Sequence, residues 1–319
     1  MKNFIYIVSD NIQNYRYLRF LIMLVVLTAV FLPLKGQEYS YYTQYMFNKM
    51  AINPAYACVH NTIGISGNIR EQWVGVEGAP STQTLSGFSP IWNERFGLGV
   101  NFVNDRVGVR SQQEVSVSYA YKLKFPEYTL SLGLKVGAIT LKNNYRKLYV
   151  TDEDDDSFIL NSKATLPIVG FGSYLKAKNY YLGMSVPQLY RFVSKKQNDY
   201  KIEQQPVILL TGGYLYSLHP DFKVLPSVFA KTQIGGVFEM DLNTNFYYKD
   251  DYCIGISYKS LNTLAIILEI AIDKSYYIGY SYDIATSKLI SYQAGTHEIS
   301  LNVYLNTKKK TGVVNPRPF

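Results

Sequence analysis

From residue 62 to residue 306 the chain repeatedly alternates apolar and polar residues with a period of two. Val115, Val117, Tyr119, Tyr121 and Leu123 alternate with Glu114, Ser116, Ser118, Ala120 and Lys122. Leu130, Leu132, Leu134 and Val136 alternate with Thr129, Ser131, Gly133 and Lys135, and the pattern recurs through Phe238–Phe246, Tyr276–Asp283 and Glu298–Leu305. Successive side chains of a strand point to opposite faces, so this pattern predicts β-strands with two unlike faces. Alternation alone does not say which face is wet. A soluble sandwich turns its apolar face to a core, whereas a membrane barrel turns it to lipid and lines its lumen with the polar face.

Strand length and connection length separate the two. Fourteen segments read as strands: 62–70, 81–89, 96–105, 112–124, 128–141, 167–177, 180–187, 205–217, 222–233, 236–248, 251–260, 263–273, 275–284 and 296–306. Most run to about 9–12 residues, the length a tilted membrane strand requires. The connections after even-numbered strands are short, as at Pro126-Glu127, Lys178-Asn179 and Lys249-Asp250. Several after odd-numbered strands are long, at 71–80, 142–166, 188–204 and 285–295, although 234–235 and 261–262 are short. Short periplasmic turns and longer outer loops are the outer-membrane pattern, and an even strand number allows antiparallel closure. Closure matters because an open sheet edge in lipid leaves backbone groups unpaired. The expected fold is therefore all-β, a transmembrane antiparallel barrel of about fourteen strands spanning 62–306, preceded by a signal peptide.

The rest of the chain is consistent with export. Phe20 to Leu34 is an uncharged apolar run preceded by Lys2, Arg16 and Arg19. It falls short of the roughly 20 apolar residues of a spanning helix and reads as a secretory signal peptide over residues 1–36, with Gln37 opening the exported chain. No second apolar run reaches spanning length, and mean hydropathy is −0.07, which excludes a helical membrane protein. The 30 Tyr suit strands that cross from lipid to water, since the ring is apolar and the hydroxyl wet.

Residues 37–61 are aromatic and contain Asn53-Pro54; they are expected either to plug the lumen or to lie on the periplasmic rim. Residues 307–319 form a basic tail. The net charge of +8 is spread along the chain, which argues against nucleic-acid binding. The run Asp152-Glu153-Asp154-Asp155-Asp156 lacks the central glycine of an EF-hand loop and reads as a solvated loop. Lumen-register Glu239, Asp241, Glu269 and Asp273 either line a channel or pair with lysines such as Lys122, Lys135 and Lys259. Cys58 and Cys253 either pair in an oxidising compartment or stand as independent buried thiols. His60, His219 and His297 are scattered, with no metal-ligand spacing, phosphate loop or nucleophile–base arrangement. No catalytic residue, cofactor or metal is expected, and the chain reads as a non-enzyme.

Several motifs are more specific. Gln44-Tyr45-Met46-Phe47-Asn48 is followed by Ile52-Asn53-Pro54-Ala55-Tyr56-Ala57, and later by Arg70-Glu71-Gln72-Trp73-Val74-Gly75-Val76-Glu77-Gly78-Ala79-Pro80. Ser118-Tyr119-Ala120-Tyr121, Tyr181-Leu182-Gly183-Met184-Ser185-Val186-Pro187, Gly279-Tyr280-Ser281-Tyr282-Asp283 and Thr296-His297-Glu298-Ile299 complete the set. In this order, over roughly 37–306, they resemble the PorP/SprF family, outer-membrane proteins associated with the type IX secretion system of Bacteroidota. Cys58 stands where the family usually has Gly, and Thr296 where it usually has Ser.

The resemblance implies partners rather than a substrate: large exported surface proteins carrying a C-terminal sorting domain, often gliding adhesins, together with the secretion machinery and outer-membrane lipid. It brings no catalytic residues. The expected role is support of export and surface anchoring of such a protein; the alternative is an outer-membrane channel for small solutes. Arg70, Trp73, Glu77 and Pro80 are the candidates for contacting the partner or for plugging the barrel, since Trp and Arg often anchor interfaces.

Overall fold

In the computed structural model, residues 42–91, 94–144, 162–191, 206–233, 238–260 and 262–306 are described. Fifteen strand segments follow in chain order: β1 (Thr62–Glu71), β2 (Ser81–Ile91), β3 (Phe96–Val107), β4 (Arg110–Lys124), β5 (Tyr128–Asn143), β6 (Ser162–Ala177), β7 (Tyr180–Arg191), β8 (Val207–Tyr214), β9 (Tyr216–His219), β10 (Phe222–Gln233), β11 (Glu239–Tyr248), β12 (Tyr252–Lys259), β13 (Thr263–Ala271), β14 (Tyr276–Ala285) and β15 (Thr296–Asn306). β8 and β9 both pair with β10 and make one wall position, so the barrel has fourteen strands. Each pairs antiparallel with its sequence neighbour, β10 meets β11, and β1 meets β15 from Thr62↔Asn306 to Glu71↔His297. The ring is closed and leaves no edge to be solvated in lipid.

The two faces divide as the alternation predicts. Along β4, Val115, Val117 and Tyr119 are exposed on the outside, while Ser116, Ser118 and Ala120 are buried inside. The outer face is apolar on all sides, the property required of a wall that meets lipid; the protein resides in the outer membrane.

Three details differ from the sequence reading. The expected single strand 205–217 is broken at Leu215, whose N–H turns to Asn179 O at 2.7 Å, and the pairing of β9 with β10 shifts register a little further on, between Lys223↔Ser217 and Phe222↔His219. β4 begins at Arg110 rather than 112, so the connection from β3 is a two-residue turn containing Gly108, a third short link after an odd-numbered strand. β6 begins at Ser162 rather than 167, which shortens the long connection between β5 and β6. The expected signal peptide, the acidic run 152–156 and the tail 307–319 lie outside the described residues.

Candidate functional site

The lumen is filled by the chain's own segment. Residues 42–60 are buried without exception and run from the mouth carrying the long connections down to the mouth carrying the short turns. One short helix, α1 (Lys49–Ile52), is capped by the Asn48 side chain, and a 3-10 turn at Pro54–Cys58 is capped by Asn53, whose Oδ1 accepts from Ala55 N–H at 3.0 Å. Proline at the first position of that turn has a preset φ and needs no donor.

The upper end of this plug is gripped by a buried charge cluster. Thr43 and Gln44 donate their backbone N–H groups to the two oxygens of Glu298 at 2.8 and 3.0 Å. Arg70 donates to Glu298 Oε2 at 2.8 Å, to Asp283 Oδ2 at 2.8 Å and to Thr43 Oγ1 at 2.6 Å. Lys259 adds a bond to Asp283 at 2.7 Å and Asn68 one to Glu298 at 2.9 Å. Arg70, Asp283 and Glu298 are no more than 3% exposed, so their charges are satisfied by one another and by the plug. Arg70 lies on β1 and Glu298 opposite it on β15, so this latch straddles the seam where the first and last strands meet.

The lower end is held by shape. A Cβ on Gly97 would lie 2.2 Å from Ala57 O, and one on Gly133 would lie 2.3 Å from Ala55 N, so the 3-10 turn sits directly against bare backbone of β3 and β5. Asn101 Nδ2 donates to Met50 O at 3.0 Å, and Ser185 Oγ to Ile52 O at 2.6 Å. His60 closes the bottom, its Nδ1 3.4 Å from Lys176 Nζ; burial first, then the charges of Lys176, Lys49 and Lys122, hold its imidazole well below the usual histidine range.

The four sequence candidates do not form one surface. Arg70 is turned into the lumen, where it acts on the plug. Trp73 (φ 47°) begins the loop above, 39% exposed, its N–H donating to Thr296 Oγ1 at 3.2 Å. Glu77 is exposed and Pro80 buried at the foot of β2. The loop is stitched to the connection after β14 by Val74 N–H to Gly295 O (2.9 Å) and Ala294 N–H to Val74 O (2.7 Å), and to the β3–β4 turn by Gly108 N–H to Gly78 O (2.8 Å). This crown presents Trp73, Val74, Val76, Ile290 and Tyr292 to solvent, Tyr292 at 76%.

The interior charges pair differently from the sequence expectation. Glu239 meets Lys231 at 3.0 Å, its register partner across β10–β11. Lys135 meets Glu114, and Lys259 meets Asp283. Lys122 instead donates to Asn61 Oδ1 (2.9 Å) and Val59 O (3.3 Å) at the end of the plug. Asp273 sits in an exposed turn, bonded to Ser275 N–H, because β13 ends at Ala271. Cys58, in the plug, and Cys253, on β12, are both buried thiols. Sequence reasoning missed Asp283 and Glu298 as latch residues, although both fall within motifs it singled out.

A closed, lipid-facing barrel whose lumen is occupied by its own amino-terminal segment defines a plugged outer-membrane barrel. The chain belongs to the PorP/SprF family of type IX secretion system membrane proteins, whose model matches residues 34–303. No curated protein matches. Among solved structures, the chain is similar to the Acinetobacter baumannii outer membrane protein Omp33 (10% identity, 77% of this chain and 98% of that one, TM-score 0.46). It is also similar to a deletion mutant of the monoaromatic hydrocarbon channel TodX (10% identity, 87% and 98%, TM-score 0.44) and to the Escherichia coli outer membrane phospholipase A (12% identity, 76% and 92%, TM-score 0.37). As a family member, the protein works with the type IX secretion machinery.

Proposed function

We propose that this barrel is a non-catalytic docking component that supports export and surface anchoring of a large cell-surface protein with a C-terminal sorting domain, such as a gliding adhesin. The observation that carries this reading is the filled lumen: a segment latched by Glu298, Arg70 and Asp283 and seated on glycines leaves a rigid platform rather than a conduit. The crown supplies the docking face, an apolar patch held rigid by backbone bonds between loops. Exposed aromatic side chains at such a patch are the residue types that anchor interfaces.

The test is affinity capture of the tagged protein from solubilised outer membrane, with a Trp73→Ala/Tyr292→Ala variant alongside. Capture of a large surface protein by the wild type, lost in the variant at equal barrel abundance, is the expected result. Recovery of the wild-type barrel alone, combined with steady conductance in planar bilayers, would replace this reading with that of a small-solute channel.

A further inference from the structure

The short-turn mouth is electrically lopsided. On the arc from β3 to β7, Arg95, Lys122, Lys124 and Lys176 fall on the lumen-facing register, and Lys178 stands in the β6–β7 turn beside them. Gly97 faces Ala57 of the plug, so Arg95 shares its side. Lys122 reaches Val59 O and Asn61 inside the rim, and Lys124 lies two residues on. Tyr174 packs on Tyr56 of the plug, Lys176 approaches His60, and Lys178 follows in the β6–β7 turn at the same mouth. Lys49, from the plug, stands over the rings of Tyr56 and Tyr181. The acidic residues of this arc are Glu94, which accepts from Asn61 Nδ2 at 2.6 Å, and Glu127.

The opposite arc has no such excess. Lys223 is paired to Asp250 at 2.6 Å, Lys249 lies near Asp221 and Asp251, and Lys274 follows Asp273 in the next turn. One half of the mouth is therefore positive and the other balanced. Arg95, Lys124 and Lys178 are exposed and open to a ligand. Anionic headgroups ring the outside of a barrel, whereas these cations line the inner rim. The ligand must therefore come axially, from the aqueous side.

We propose that this basic half-mouth is a docking surface for an acidic segment of a periplasmic protein, separate from whatever binds at the crown. With short turns on the periplasmic side, such a segment lies across Arg95, Lys124 and Lys178, with Lys122 and Lys176 beneath it. Focused charge at a concave mouth steers an oppositely charged partner and makes its binding salt-dependent.

The full-length barrel in neutral-lipid nanodiscs, titrated with a fluorescent oligoglutamate peptide, tests this. Binding is expected to weaken at least about tenfold from low to physiological-to-high salt. Arg95→Glu/Lys124→Glu/Lys178→Glu should abolish it, and Lys223→Glu/Lys249→Glu/Lys274→Glu should leave it, with both variants showing wild-type heat-modifiable gel mobility. No binding by the wild type, or equal loss in both variants, overturns the proposal. So does binding that disappears when the nanodisc carries anionic phospholipid, which would make the arc a headgroup site. None of these outcomes depends on the surface protein captured at the crown.

Discussion

The two ends of the plug are held by different physics. At the upper end Thr43 and Gln44 are gripped by directional, charge-assisted bonds from Glu298, Arg70 and Asp283. At the lower end Ala55 and Ala57 are held by close approach to Gly133 and Gly97, where no wall side chain intervenes. A latch of buried charges tolerates shape changes poorly matched in charge least of all, while a seat of bare backbone is indifferent to charge and intolerant of a single methyl group. The segment is thus fixed in height by electrostatics and in depth by packing.

The largest expected effect breaks the latch. Arg70→Ala leaves Asp283 on β14 and Glu298 on β15 side by side on one side of the seam with Lys259 as the remaining cation, and stranding buried charge of this kind costs about 3–5 kcal/mol. Denaturant unfolding in lipid vesicles should fall by that order, and backbone exchange at Thr43 and Gln44 should rise while Ala55 and Ala57 stay protected. Uniform loss of protection along 42–58 would mean that the two ends are one unit. Next comes the seat: Gly133→Ala drives a methyl into the Ala55 backbone and should cost about 1–3 kcal/mol, releasing the lower plug to protease with the latch intact. Gly67→Ala is the matched control, because nothing lies within 4 Å of its Cβ position, and it should leave the plug protected.

A third change sharpens the contrast by touching neither device. Asn243 on β11 is 3% exposed, and neither end of its amide has a hydrogen-bond partner among the described residues. Asn243→Leu, nearly isosteric, removes an unmet polar group and should raise stability by about 1 kcal/mol without altering exchange in the plug. Destabilisation would show that the amide is satisfied in the membrane.

The wall was legible in the sequence because lipid on one side and a polar lumen on the other impose strict alternation; the strand assigned to 205–217 failed at Leu215, where Tyr216–His219 are all exposed and the two-faced pattern lapses. The latch was legible only as residues without partners. Arg70 stood in a motif, but its carboxylates lie more than 200 residues away and reach it only when β1 closes on β15. The seats were hidden for another reason: a glycine in a strand reads as weak strand chemistry until the lumen is known to be occupied. The basic arc looked like scattered charge because its members lie in or beside three separate connections, brought to one side of the mouth by ring order.

The smallest effect is confined to acid and tests the bottom of the seat. His60 is packed by Lys49 of α1, Lys122 of β4, Lys176 of β6 and the Tyr56 ring, all cationic or neutral, so folding holds its imidazole well below the ordinary value. The unfolded chain takes up a proton as pH falls through about 6.5, whereas the folded one does not. Stability from this group is therefore complete above that pH and is lost as pH drops toward the depressed folded value. His60→Gln removes the titration. Between pH 7 and pH 5 the wild type should lose stability relative to this variant, with the extra hydrogen exchange concentrated at Ala55–Val59 rather than at Thr43. Parallel pH curves would show that His60 reaches solvent and that the lower plug is looser than its glycine seats imply.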